Sequence, residues 1–219
     1  RKRGNSVYFP DRVIPMLPEA LSNDLCSLRP DGDRACFAVW ITIDRKGQIR
    51  SWRFCRGLMR SRARLTYTQV QAAHDGQPDE LTGPLLTSVI MPLYAAYERL
   101  LEARQARGTI ELELPERKIS FDADGRPVGV EARIRQASNM LIEEFMIAAN
   151  VAAASELAEA LKACLYRVHD KPDPVKLEAL AQFLEHLGVP WSRTAKKPGD
   201  FTRLLQALAE HDMREMARS

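Results

Sequence analysis

The sequence predicts an α+β fold, an antiparallel sheet with helices packed on it, on three observations. Segments rich in β-branched and aromatic residues are separated by short Asp- and Gly-containing turns in the first part of the chain. Segments with apolar residues at helical spacing lie between them and after them. A composition shift near residue 137 sets a β-rich stretch, 1–136, before a mostly helical one, 137–219. We read the order of strands, helix, strands and then helices as one domain over residues 1–219 rather than two independent ones.

Taken in order, Ser6-Val7-Tyr8-Phe9 reads as a strand. Residues 10–32, dense in Pro, Asn, Asp and Ser, read as a long irregular loop whose apolar content argues for order. The clearest hairpin joins 34–45 to 48–59 around Asp44-Arg45-Lys46-Gly47. Its first arm, Cys36 to Ile43, is β-branched and aromatic, and its second places Ile49, Trp52, Phe54 and Leu58 along the strand. Further strands are expected at 109–114, 117–122 and 128–135, the last two joined by the turn Asp124-Gly125-Arg126-Pro127. Helices are expected at 67–75, at 84–106 with a kink at Pro92, and at 137–163, 173–187 and 200–217, with a loop from Trp191 to Gly199.

The 219 residues are 45% hydrophobic and 28% charged, enough to bury one sizeable core. A net charge of +3 permits an anionic partner without requiring one. No apolar run approaches the ~20 residues of a membrane helix. Arg1-Lys2-Arg3-Gly4 leads into polar sequence rather than the apolar stretch of a signal peptide. Cys26, Cys36, Cys55 and Cys164 form no CxxC pair and stand among apolar neighbours, so they read as reduced core cysteines of a cytoplasmic protein. The absence of an initiator Met, and a helical pattern running into Ala217-Arg218-Ser219 without a stop signal, read as the ends of a fragment.

Few residues offer chemistry. Glu143 and Glu144 are adjacent on a helix, so their side chains diverge by about 100° and cannot face one site. With Leu141, Phe145 and Ala148 on the apolar face, Glu144 lies beside it, partly buried, either as a site carboxylate or as a structurally paired or solvated one. Asp122 with Asp124, and Asp31 with Asp33, have metal-pair spacing but sit in turn sequences where Asp bonds the backbone. No segment concentrates aspartates as a two-metal phosphodiester site requires, so no metal site is expected within this chain. No phosphate-binding glycine loop is present. The histidines His74, His169, His186 and His211 are scattered, the last two reading as exposed helix residues. His169 belongs to the cationic stretch 165–172, with Arg167 and Lys171, which suits either a phosphate or a helix C-terminus. Arg53, Arg56, Arg60, Arg62 and Arg64 accompany Phe54 and Tyr67, a mixture that suits nucleic-acid phosphates and bases or simply an exposed strand face.

Several strings, in collinear order over nearly the whole chain, resemble the catalytic (RNB) domain of the ribonuclease R / ribonuclease II family. They are Arg3-Gly4-Asn5-Ser6-Val7-Tyr8-Phe9-Pro10, Val13 to Glu19, Leu21 to Leu28, Ser61-Arg62-Ala63-Arg64-Leu65-Thr66-Tyr67, Leu141-Ile142-Glu143-Glu144-Phe145-Met146-Ile147-Ala148-Ala149-Asn150, and Tyr166-Arg167-Val168-His169-Asp170-Lys171-Pro172. The resemblance implies a partial RNB domain from a processive 3′→5′ exoribonuclease, monomeric and cytoplasmic, that degrades single-stranded RNA to nucleoside 5′-monophosphates with Mg²⁺. The metal-binding aspartates would lie before Arg1 and an Arg-rich phosphate segment after Ser219, leaving the chain itself inactive. The resemblance gives Tyr8 a base-stacking role, Tyr67 a place in the wall of the catalytic cavity, and Glu144 a contact with the terminal nucleotide. It makes Arg62, Arg64, Arg167 and Lys171 candidate RNA contacts. Leu112 stands where the family carries the aromatic partner of the Tyr8 clamp. The alternatives are a non-catalytic module that binds single-stranded RNA and a purely structural domain.

Overall fold

The computed structural model describes residues 4–110, 116–133, 135–161, 165–168, 170–189, 191 and 198–210. Leu112, Cys164, His169 and His211, most of the strand expected at 109–114 and most of the Trp191–Gly199 loop lie outside them. The chain divides into two compact units, Arg1–Leu100 with Pro115–Ala154, and Leu101–Leu114 with Ser155–Ser219. They interleave along the sequence, and none of the three boundaries falls at residue 137.

In the first unit β1 (Val7–Tyr8) pairs antiparallel with β2 (Val13–Ile14). The loop beyond contains a π-helical turn, Ala20–Leu25. It is fastened by the Arg34 guanidinium, which donates to the Ser27 carbonyl at 3.0 Å and reaches Asp24 at 3.3 Å. Cys26 closes that turn and is exposed, so the expectation of a core cysteine does not hold there. The loop lies too near the surface to cover every apolar residue it carries. Cys36 and Cys55 are half-buried and free.

The long hairpin forms as expected, β3 (Asp33–Ile43) against β4 (Ile49–Arg60), with a register shift at Thr42/Ile43. The turn chemistry is local. Asp44 Oδ1 accepts the N–H groups of Lys46 and Gln48 at 2.8 and 2.9 Å, and Gly47 supplies the φ of +69° the turn needs. β5 (Glu116–Phe121) and β6 (Pro127–Arg133) form a third antiparallel pair. Their turn uses Asp122 as the sequence implies, its Oδ1 accepting from the backbone of Asp124 and Arg126. The α+β class holds, and among the described residues the strands are distributed over three separate two-stranded sheets.

α1 spans Tyr67–His74. The next helix differs from expectation. A 3-10 turn (Gly83–Leu85) and a π-helical turn (Leu86–Ile90) precede α2 (Met91–Ala106), so Pro92 sits in the first turn of α2 instead of kinking a longer helix. The residues before Pro92 are themselves helical, and the π-helical turn, in which the Met91 N–H bonds the Leu86 carbonyl, accommodates the N–H that proline lacks. α3 (Ala137–Leu161) buries a stripe of Ser138, Leu141, Glu144, Ala148 and Ala152, spaced by three and four residues. Ile90, Tyr94, Tyr97 and Leu100 are also buried.

In the second unit α4 (Pro174–His186) starts at Asp173, whose carboxylate accepts the Val175 N–H at 2.9 Å, and Pro174 takes the position where proline is pre-organised. Gly188, at φ +70°, ends it, with Val189 N–H donating to the Leu184 carbonyl at 2.9 Å. α5 (Pro198–Glu210) supplies Leu204 and Leu208 to a cluster with Leu184 and Val189. Trp191 and Phe201 pack with ring centres 5.3 Å apart.

Candidate functional site

Residues 61–66 carry the chain from β4 into α1 and expose Arg62 and Arg64. Thr66 then caps α1 reciprocally. Its hydroxyl accepts the Gln69 N–H at 3.2 Å, and Gln69 Oε1 accepts the Thr66 N–H at 3.0 Å. This fixes Tyr67 as the first residue of the helix, 44% exposed. Beneath it lies a cavity of about 310 Å³ whose wall includes Tyr67, Val70, Ile90, Tyr94, Ser138 and Leu141. The lining is mostly apolar, with an aromatic ring at the mouth and polar groups from Tyr94 and Ser138.

Around that wall runs a closed polar network. Gln71 Oε1 accepts the Tyr94 hydroxyl at 3.3 Å and the Ser138 N–H at 3.1 Å. Gln71 Nε2 donates to both oxygens of Asp75, at 3.0 and 3.1 Å. His74 Nδ1 lies 3.1 Å from Asp75, and its ring stacks on Tyr94 with centroids 3.8 Å apart. The hydrogen bonds from Gln71 and then from His74 hold the Asp75 carboxyl below the usual carboxylate range. Burial, reinforced by the negative charge of Asp75, holds the Tyr94 hydroxyl above the usual phenol range. Beyond α1, Asp79 accepts from the Thr82 hydroxyl and N–H, both at 2.7 Å, and from Gln69, which keeps its carboxyl below the usual range as well.

Glu144 is 5% exposed. It lies on the buried stripe of α3 itself, more deeply than the sequence reading of a residue beside it, and one turn from the cavity-lining Leu141. Glu143 points elsewhere and pairs with Arg135 on the surface, so the two carboxylates diverge as helix geometry requires. Tyr8 is 77% exposed on β1 opposite Val13 and is not part of this cavity wall. Arg60 is held by Asp33 at 2.7 Å, and Phe54 stacks on Phe37. In the second unit, Arg167 and Lys171 are exposed on the segment that leads into α4. Among the described residues no group of three or more His, Cys, Asp or Glu side chains is placed to hold a metal ion. No helix among them is long and apolar enough to cross a membrane.

The sequence reading missed Gln71. Its position four residues after Tyr67 was visible, but its partner Ser138 is 67 residues away.

The fold and the motifs define a protein of the RNB domain class: the RNB family model matches residues 1–218, and the chain belongs to that family. Within it, the chain is similar to ribonuclease R. It is 40% identical to the Ribonuclease R of Vibrio parahaemolyticus serotype O3:K6 over 220 residues, 99% of this chain and 26% of that protein. The structure matches Mycoplasma genitalium RNase R in complex with ribose methylated single-stranded RNA, with a TM-score of 0.88 at 27% identity, covering 97% of this chain and 34% of that one. It matches the same enzyme in complex with double-stranded RNA with a TM-score of 0.89 at 27% identity, covering 97% and 38%. The chain therefore spans about a quarter of the length of the curated relatives it matches.

Proposed function

We propose that this chain is the RNA-holding middle of the catalytic domain of a 3′→5′ exoribonuclease. That enzyme removes nucleotides processively from single-stranded RNA and releases nucleoside 5′-monophosphates with Mg²⁺. The observation that carries the reading is Tyr67, held half-exposed at the mouth of an apolar cavity by the Thr66 cap, in a chain of the RNB family. A tyrosine face stacks on any base without sequence preference. The Glu144 carboxylate is suited to accept a ribose 2′-hydroxyl, a contact that favours RNA over DNA. Exposed Arg62, Arg64, Arg167 and Lys171 supply phosphate contacts, and Tyr8 an outer stacking face. By this reading, as the family resemblance implies, the metal-binding aspartates lie outside these residues, and the 219-residue chain binds RNA without cutting it. The reading carries with it a cytoplasmic location, a monomeric enzyme and RNA as the partner.

The test starts with the gene, read beyond both ends of the chain, and then compares its complete product with the 219-residue chain. Both are incubated with Mg²⁺ and oligo(A) labelled uniformly along its phosphates. The complete product is expected to release 5′-monophosphates, and Tyr67→Ala or Glu144→Ala is expected to slow it at least tenfold. The chain alone is expected to bind the oligonucleotide, with affinity falling between about 50 and 200 mM salt, and to release nothing. Unchanged turnover in Glu144→Ala would remove that residue from the site. Binding without hydrolysis by the complete product would leave a non-catalytic RNA-binding protein.

A further inference from the structure

We propose that Gln71 is the positioning residue of this site: it locks the helix that begins at Tyr67 against the start of the helix that carries Glu144. The inference rests on the reading of Tyr67 and Glu144 as RNA contacts. Four residues apart on α1, Tyr67 and Gln71 share a face. On α3, Ser138 and Leu141 lie on the same buried stripe as Glu144. Gln71 bridges the two faces, and the cavity mouthed by Tyr67 is walled by Ser138 and Leu141.

Hydrogen-bond chemistry fixes the orientation of the Gln71 amide. The Asp75 carboxylate only accepts, so the amide NH₂ must face it. The Ser138 backbone N–H only donates, so the amide oxygen must face α3. Ser138 is the second residue of α3, and its N–H is one of the four that a helix start leaves without a partner inside the helix. Gln71 therefore caps α3 from another helix. The same oxygen takes the Tyr94 hydroxyl, which ties in α2, and His74 closes the loop between Tyr94 and Asp75. Apolar packing alone would let α1 and α3 slide. The directional bond from the Ser138 N–H to the Gln71 oxygen sets the spacing between them, and so the place of Tyr67 relative to Glu144.

The test is binding of fluorescein-labelled oligo(A) to the chain by anisotropy. Gln71→Met keeps the volume and loses the bonds. It is expected to weaken binding three- to tenfold and to add less than twofold when Tyr67 is already alanine. A purely structural role would multiply the two losses in full. Asp75→Lys is expected to weaken binding too, because a donor-only ammonium then faces the Gln71 NH₂. Adding Gln71→Glu to it reverses the donor and acceptor while keeping an oxygen for Ser138, and is expected to restore affinity. This pair serves if Gln71→Met does not fold. Wild-type affinity in Gln71→Met, independent losses with Tyr67→Ala, or no recovery in the double variant overturns the role of Gln71. Failure of the unsubstituted chain to bind oligo(A) instead overturns the RNA reading and the proposal with it.

Discussion

The two units hold their helices by different physics. In the second, α4 and α5 meet through Leu184, Val189, Leu204 and Leu208, a cluster that fills space without preferring a direction. In the first, one amide, Gln71, oriented by the Asp75 carboxylate, joins α1 to α2 and to α3, and a cavity of about 310 Å³ stays open beside it. Apolar packing stabilises by excluding water, so it closes voids. Directional bonds fix relative orientation and leave room beside them. The unit that carries Tyr67 and Glu144 adds the second device to its apolar packing, and α4 and α5 of the other unit meet through the first.

The largest expected break in this comparison is Leu184→Ala, 1% exposed at the centre of the apolar cluster. It should cost about 2–5 kcal/mol, read from urea unfolding. In the first unit Thr82→Val removes a hydroxyl that both donates to Asp79 and accepts the Asp79 N–H. The expected cost is about 1–3 kcal/mol, since a fully buried site loses its polar partner. The two helix caps sharpen the contrast. Thr66→Ala and Asp173→Ala should each cost about 1 kcal/mol. Only the first should also weaken oligo(A) binding, because Tyr67 is the residue that Thr66 holds in place. The smallest effect is acid dependence. The folded-state carboxyls of Asp75 and Asp79 lie below their ordinary value, so the stability they contribute is present above about pH 4 and is lost as pH falls through the lowered folded value. Melting temperatures followed down through the carboxylate range should drop less steeply in Asp79→Asn than in the unsubstituted chain.

The β3–β4 hairpin, the turn at Asp122, the start of α1 at Thr66-Tyr67 and the capped ends of α4 were all legible, because each rests on bonds between residues a few positions apart. The divergence of Glu143 and Glu144 followed from helix geometry alone. The family strings were equally plain, and with them the candidate roles of Tyr8, Tyr67 and Glu144. What needed the tertiary structure was everything that depends on which surfaces meet. The exposure of Cys26, the pairing of the described strands as separate hairpins, and Pro92 directly after a π-helical turn belong here. So do the burial of Glu144 and the bond from Ser138 to Gln71 across 67 positions. Local sequence sets which backbone bonds can close. The depth of a side chain and the partner of a distant amide are set by how helices pack, and neighbouring residues carry no record of that.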